Sequence, residues 1–513
     1  MLPAQQTHLI QPDVLPPHEH AIKPNLPTYR KTCITPNTSY NNVSGEYFSH
    51  SIDKIYNESV KWKRNLFQTP TGQQGKSFTK LLTEWLTHYN QDTTFQGIAL
   101  KTFMILPCIM LQKPAKTSKA KEHTQALARR LQLWNEGKLD ELLRECTIIQ
   151  QKLSSSKKRT PDDAARIFSR LMFVGKIKAA LKFLDANSDC GVLPATEDVI
   201  TLLEEKHPQA AEIQEDTLFN GPLEEVNPIH FAGIDEQQVM KAAMRTKGSA
   251  GPSHFDSDQY RRVLCSKHFK SEGKELREQV AVFARKIATT SLDPSCLEAY
   301  VACRLIPLNK NPGVRPIGVG EVLRRIVGKL IAWALRDEIQ QAAGPLQVSS
   351  GLNGGAEAAI HAMRDIFEAD STDAVILVDA SNAFNKLNRQ AAMHNIQYIC
   401  PPLALTIINT YRKPARLFVV GGKEIKSAEG TTQGDPLAMQ FYALGTNPLL
   451  ENLRSRMPEI SQVWLADDAT GAGKLSHLKD WWDLLILEGR KLGYHVNESK
   501  SWLILKKPSE MRS

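Results

Sequence analysis

A chain of 513 residues has the material for two or three domains and a substantial core. Its 64 Lys and Arg against 55 Asp and Glu leave a net charge of +9, which suits a polyanionic partner without establishing one. Eight cysteines in no paired spacing argue against a disulfide framework and read as reduced thiols of an intracellular, nuclear or cytoplasmic protein.

The cluster Cys265-Ser-Lys-His268 with Cys296 and Cys303 downstream fits no zinc-module spacing. The first residues, MLPAQQTHLIQP, lack the apolar core of a signal peptide. The longest apolar run, Thr102 to Leu111, is interrupted by Pro107 and is about half of what a bilayer crossing requires. No membrane partner is expected.

In chain order, residues 1–54 are rich in Pro, Thr, Asn and His without periodicity and read as a disordered tail. Residues 55–214 read as a helical N-terminal region. One helix is expected over Ile55 to Phe67, and another after Ser77, with Phe78, Leu81, Leu82, Trp85 and Leu86 on one face. Gly72-Gln-Gln-Gly-Lys-Ser77 has the Gly-Lys-Ser of a phosphate-binding loop. That loop needs a glycine where Pro70 stands and a buried strand before it, so a turn and a Ser77-capped helix account for the segment. Two basic clusters, Lys113/Lys116/Lys119/Lys121 and Lys157-Lys158-Arg159, could track phosphates, although solvated linkers are the commoner use of such runs. Thr160-Pro161-Asp162-Asp163 has the cap, first-turn proline and acids of a helix start, opening a helix with Arg166, Arg170, Lys176 and Lys178. Residues 215–228 read as a linker. The stretch 321–341 reads as one amphipathic helix, with Val322, Ile326, Leu330 and Ile339 near one face and Arg324, Arg325, Lys329 and Arg336 leaving or edging the core. A glycine-rich turn (Gly351, Gly354, Gly355) and a further helix precede the most informative part of the chain.

That part is a pair of stretches, Val375-Ile-Leu-Val-Asp379-Ala380 and Val463-Trp-Leu-Ala-Asp467-Asp468, each running apolar residues into carboxylate. Such a run is consistent with a strand buried on both faces. An acid at its end is costly unless it binds something positive. If the two strands lie side by side, Asp379 and Asp467 converge with Asp468 beside them, and a divalent cation such as magnesium would relieve their repulsion. Two-metal phosphoryl transfer uses this arrangement. Three ordinary surface acids are the alternative, against which their apolar flanks argue.

Around these acids stand Asp379-Ala-Ser-Asn-Ala-Phe384, Glu429-Gly-Thr-Thr-Gln-Gly-Asp-Pro-Leu437, Leu465-Ala-Asp-Asp468 and Gly493-Tyr-His-Val-Asn-Glu-Ser-Lys500, preceded by Arg304-Leu-Ile-Pro-Leu-Asn-Lys310 and Val314-Arg-Pro-Ile317. In this order they resemble motifs A to D of the reverse transcriptase palm and the finger strands before it. The resemblance runs from about Gly233 to Leu505 and rests on the order of five elements, since each alone is a weak signal. It implies a mixed α/β (α+β) fold: right-hand polymerase fingers at 229–345 and a palm with an antiparallel sheet at 346–513, behind the helical N-terminal region. It implies an RNA-directed DNA polymerase with RNA template, DNA primer and dNTPs as partners. Asp379, Asp467 and Asp468 would be the catalytic metal ligands for two Mg²⁺ ions, with Mn²⁺ as a substitute. Lys310 and Arg315, on a hairpin turning at Pro312-Gly313, would clamp the triphosphate. Ala380, Phe384, Gln433 and Gly434 would meet substrate, with Phe384 as a ring beneath the sugar that selects deoxynucleotides. Lys500, on the strand after motif D, would protonate pyrophosphate. Taken from its own surroundings, Phe384 reads as core, Lys310/Arg315 as an exposed basic hairpin and Gln433-Gly434 as a turn. Ser476 is expected to cap a helix containing Leu478, Trp481, Leu485 and Leu492 and ended by Gly493, with Trp481 and Trp482 as packing residues.

The chain departs from the family pattern in two places. Leu465 stands where reverse transcriptases carry Tyr or Phe, which leaves metal ligation intact and puts the contact with the primer end in doubt. Only Ser501 to Ser513 follow Lys500, so the expected thumb is missing. The sequence therefore reads as a eukaryotic retroelement enzyme of non-LTR-like type, truncated after motif D. A catalytically decayed nucleic-acid-binding relic and an RNA-dependent RNA polymerase are the alternatives; the second would normally show Gly-Asp-Asp and a polar residue in place of Phe384.

Overall fold

The computed structural model describes residues 45–154, 161–185, 191–310, 313–350, 354–419 and 422–506. The chain divides into two units: Met1–Ser39 lies outside the described residues, and everything below belongs to Tyr40–Ser513. Lys157-Lys158-Arg159, Thr160, Gly351 and Pro312 also lie outside them.

The first half is helical because its apolar residues recur at helical spacing. Phe48, Ile52, Ile55 and Tyr56 make one buried stripe, and it forms the helix Gly45–Ser59 rather than one over Ile55 to Phe67. The stripe begins inside the stretch expected to be a tail. It ends where Lys61, Lys63 and Arg64 interrupt the apolar pattern, and Leu66 then bridges to Gln112. The next helix, Gln73–Asn90, buries Phe78, Leu81, Leu82, Trp85 and Leu86 as expected, but it starts four residues before Ser77. Gly72 is its N-cap without a side-chain bond, and Gly75 sits in its first turn because any β-carbon there would strike the Pro70 carbonyl. Ser77 therefore caps nothing, and the Gly-Lys-Ser segment forms a helix start. The helix Gln96–Met110 is apolar on all sides and correspondingly buried from Ala99 onward, apart from Lys101 at its edge. Helices Ala120–Asn135 and Leu139–Ser154 close the bundle. Pro161 opens the helix Pro161–Phe173. No helix among the described residues is long and apolar enough to cross a membrane.

Among the described residues eight strands follow: β1 (Cys303–Asn309), β2 (Val314–Gly320), β3 (Ala374–Val378), β4 (Ala415–Val419), β5 (Glu424–Ser427), β6 (Ser461–Leu465), β7 (Asp468–Gly473) and β8 (Trp502–Leu505). They form two four-stranded sheets, β2-β1-β4-β5 and β6-β7-β3-β8. The first is mixed, with β1 parallel to β4, and the second is antiparallel throughout. The fold is thus mixed α/β with a helical N-terminal region. One continuous core links the helices to the second sheet, from Phe48 to Tyr494.

Other expectations change at their edges. The stretch 321–341 forms two helices, Val322–Ala334 and Arg336–Ala343, separated at Leu335. Val322, Ile326, Leu330 and Ile339 are all buried, but so is Arg324, which was expected to leave or edge the core. Ser476 lies in the first turn of Leu475–Lys491, whose N-cap is Lys474, so it is no cap. Gly493, at φ +80°, follows the end of that helix, and Trp481 is packed at 0% exposure. Residues 215–228 hold a short turn, Glu215–Thr217, and Leu218 and Val226 pack on the core.

Candidate active site

The two acidic strands are not neighbours. β6 and β7 form a hairpin whose turn is Ala466-Asp467, and β7 lies between β6 and β3. The hairpin turn brings Asp467 to the end of β3, where a side-by-side pairing had been expected to do so. Val378 pairs with Ala469, so one step further along the ladder sets Asp379 beside Asp468. Nor are these strands buried on both faces: Leu377 is 39% exposed and Leu465 40%.

The hairpin turn is fixed from below. Ala466 takes a φ of +59°, a left-handed conformation uncommon for a residue with a side chain. The buried Gln347 side chain holds it, accepting from Ala466 N at 2.8 Å and donating to Ala466 O at 3.2 Å. Tyr494 Oη donates to the Asp467 carbonyl at 2.9 Å. Asp379 is fixed by Asn497, whose main-chain N donates to Asp379 O and whose Nδ2 donates to Asp379 Oδ2, both at 2.8 Å. Asp379 N in turn donates to Ser501 Oγ at 3.3 Å. Gln347, Tyr494, Asn497 and Ser501 were not identified as site residues from the sequence. Neutral amides and hydroxyls at ordinary spacing carry no distinctive pattern, although Asn497 stands within motif D.

Burial, together with the neighbouring Asp468 and Asp379 charges, pushes Asp467 up to about 6, against a backbone hydrogen bond and the pull of Lys310. Burial and Asp379 also raise Asp468. Among the described residues no group of three or more His, Cys, Asp or Glu side chains is gathered closely enough to hold a metal ion as it stands. The three carboxylates nonetheless feel one another electrostatically. As an oxygen-only donor set with unrelieved repulsion, they fit a hard divalent cation.

Lys310 and Arg315 stand exposed on the β1–β2 hairpin, where Lys310 N donates to Gly313 O at 3.0 Å and Leu308 pairs with Arg315. Lys310 is lowered by partial burial and then by the charges of Lys500, Arg315 and Lys206, with Asp379 opposing. Lys310 is thus within electrostatic reach of Asp379 and Asp467 on one side and of Arg315 and Lys500 on the other. Lys500 is exposed in the short turn Glu498–Lys500 just before β8, not on the strand itself, because β8 begins only at Trp502.

Phe384 is half-buried in the short helix Ala383–Lys386, with its ring stacked on Tyr442 at 4.7 Å. Ala380 is buried and bridges to Val496. The Gln433-Gly434 loop lies against β2, with Gly318 N donating to Gln433 O at 2.8 Å. Gly434 has a φ of +107°, and a β-carbon there would collide with the Gly318 carbonyl, so the position needs glycine twice over. Behind the loop, Asp435 pairs with Arg324, their side chains 2% and 4% exposed. Buried Arg389 donates to Gly430 O and Ser427 O, both at 2.7 Å, and to Glu429 O at 2.7 Å, so it anchors the start of the same loop.

Residues 307–511 match the family model for reverse transcriptase (RNA-dependent DNA polymerase). The chain carries a reverse transcriptase domain. No match was found among the curated proteins. The reverse transcriptase domain spans Lys310, Arg315, Asp379, Phe384, Gln433, Gly434, Asp467, Asp468 and Lys500. Lys206, the fourth cation beside Lys310, lies outside it.

Proposed function

We propose that this chain is an RNA-directed DNA polymerase of retroelement origin, adding dNTPs to a DNA primer on an RNA template. The carrying observation is the convergence of Asp379, Asp467 and Asp468 at one sheet end, within electrostatic reach of Lys310 and inside the stretch that matches the family. Asp379, Asp467 and Asp468 would hold two Mg²⁺ ions. Bound there, the ions supply Lewis acidity for ionising a primer 3′-hydroxyl and for neutralising the leaving pyrophosphate.

The remaining roles belong to the chain's own side chains. Asn497 fixes the Asp379 carboxylate, so that its free oxygen keeps one direction. Lys310 and Arg315 neutralise the triphosphate from the hairpin. Phe384, braced by Tyr442, lies beneath the sugar and disfavours a 2′-hydroxyl. Gln433 and Gly434 bring a loop of little bulk against the nascent pair. Lys500 gives a proton to pyrophosphate as it leaves.

The test is extension of a labelled DNA primer annealed to RNA by the full-length chain. Extension that needs dNTPs, stops with chelator and returns with Mg²⁺ is expected. Absence of incorporation with both Mg²⁺ and Mn²⁺, while the chain still binds the RNA–DNA hybrid, would favour the non-catalytic relic instead.

A further inference from the structure

Residues 191–219 lie outside the matched domain yet are built into the site. They begin as an extension of the first sheet: Asn309 N donates to Gly191 O at 3.0 Å, and Leu193 N donates to Pro307 O at 2.9 Å. The helix Glu197–Glu205, capped by Thr196, then lays Leu203 on Cys303, Leu305, Val314 and Leu417, with Leu193 and Val199 alongside. At the end of the helix the chain turns at Lys206 and crosses to the loop after Asp379. There the Lys206 carbonyl accepts from Asn382 Nδ2 at 3.0 Å and from Asn385 Nδ2 at 2.9 Å. Beyond it, Ala211 N donates to Glu429 Oε2 at 2.7 Å and Asn388 Nδ2 donates to Glu212 O at 2.9 Å. Asn395 Nδ2 donates to Thr217 O at 2.8 Å. The segment is a strap from the β1–β2 sheet to the acidic strand.

The two asparagines that grip Lys206 bracket Phe384 in sequence. The ammonium group carried by that residue is within electrostatic reach of Lys310, as are Arg315 and Lys500. Among the described residues none of these four cations has a carboxylate within ion-pair distance. Cations that repel one another and that form no salt bridge among the described residues suit a polyanion, which can engage several of them beside the acids.

We propose that Lys206 is a further substrate-binding residue, and that its ammonium joins Lys310 and Arg315 in holding the triphosphate of the incoming nucleotide. The assignment rests on the polymerase reading for the identity of that ligand. It commits to the triphosphate over the template–primer backbone because the residues gripping Lys206 flank Phe384, which lies beneath the sugar of the same nucleotide. The main-chain carbonyl, not the side chain, makes the anchoring contacts, so truncating the side chain leaves the strap in place.

The test is the equilibrium affinity of the next dNTP for the full-length chain bound to an RNA template with a chain-terminated DNA primer, a readout that needs no turnover. Lys206→Ala is expected to weaken dNTP binding about tenfold, with template–primer affinity and melting temperature unchanged. Lys206→Arg should retain affinity because it keeps the charge. Unchanged dNTP affinity in Lys206→Ala, or an equal loss of template–primer affinity, would overturn the assignment. A wild-type chain that binds dNTP and loses it on Lys206→Ala, yet never extends a primer, would overturn the polymerase reading and leave the assignment standing.

Discussion

Asp379 ends an apolar strand, and its orientation comes from Asn497, which holds both its main-chain and its side-chain oxygens. Asn497→Ala should therefore lower single-turnover incorporation by about 10–100-fold while the melting temperature stays close to wild type; an unchanged rate would remove Asn497 from the site. A second residue-scale consequence lies in two buried groups away from the acids. Glu321 is fully buried, with Ser253 N and Oγ donating to its carboxylate at 2.7 and 2.5 Å. Burial pushes it up to about 7 despite those bonds and the nearby Arg304 and Arg325. His254 is buried with neither ring nitrogen partnered among the described residues, and burial followed by Arg304 and Arg64 pushes it down to about 3. Between the usual glutamate value and 7 the folded state holds the Glu321 proton that the unfolded chain has lost, so stability falls as pH rises through that range. Between 3 and the usual histidine value the unfolded chain holds the extra proton, so stability rises with pH. The two slopes, each up to about 1.4 kcal/mol per pH unit, oppose one another in the overlap and leave Glu321 alone near neutrality. Urea midpoints across pH should show the wild type losing stability relative to Glu321→Gln as pH rises from the usual glutamate value to about 7, with no further change above it; superimposable profiles would contradict this. The carboxylates Asp379, Asp467 and Asp468 were legible in the sequence because an acid ending an apolar run is conspicuous. Asn497, Tyr494 and Gln347 were not, because their role depends on three-dimensional neighbours that spacing does not encode.

At the scale of elements, the loop carrying Gln433 and Gly434 is held by charge. Arg324, from the helix Val322–Ala334, reaches Asp435 behind the loop and also donates to Val301 O at 3.0 Å. Removing one partner of a buried pair strands the other, so Asp435→Leu should cost about 3–5 kcal/mol. Arg324→Met combined with Asp435→Leu should cost less than Asp435→Leu alone. Denaturant unfolding of the single and double variants measures this, and equal or additive losses would mean that the pair is not the tie. Periodicity places Arg324 at the core edge, since an arginine on an amphipathic helix ordinarily faces water; only the partner, far along the chain, makes burial tolerable. The same limit applies to the hairpin β6–β7. The apolar run Val463-Trp-Leu-Ala466 suggests a strand beside β3, whereas the order β6-β7-β3 follows from a two-residue turn whose return strand, Asp468–Gly473, is rich in glycine and alanine and reads weakly as a strand. Helix starts shifted for a comparable reason: Gly72 and Lys474 stand at N-caps without side-chain bonds, while the Ser and Thr signals lie nearby.

Across the whole molecule, the helical region and residues 229–513 share one core. Tyr89 meets Phe283 edge-on at 5.4 Å, Asn90 Nδ2 donates to Gln279 O at 2.9 Å, and Gln259 Nε2 donates to Phe67 O at 2.7 Å. These contacts cross a boundary that composition alone places near residue 228. A fragment of residues 229–513 should consequently expose the apolar face that the helix Gln73–Asn90 covers and lose the cooperative unfolding of the longer chain; a fragment with a sharp transition at the same temperature would show the regions to be independent. The family motifs were readable because they are local. The packing of Gly45–Ser154 on the rest of the core and the tie of the 191–219 strap to the site were not, since both are contacts between residues far apart in the chain. The central claim, that the acids at the β3 and β6–β7 ends perform nucleotidyl transfer, is tested most directly by single-nucleotide dNTP incorporation on an RNA–DNA template–primer by the full-length wild type and Asp467→Asn. The account predicts incorporation by the wild type and a loss of at least about a thousandfold in Asp467→Asn at unchanged template–primer affinity. Equal incorporation by the two would contradict it.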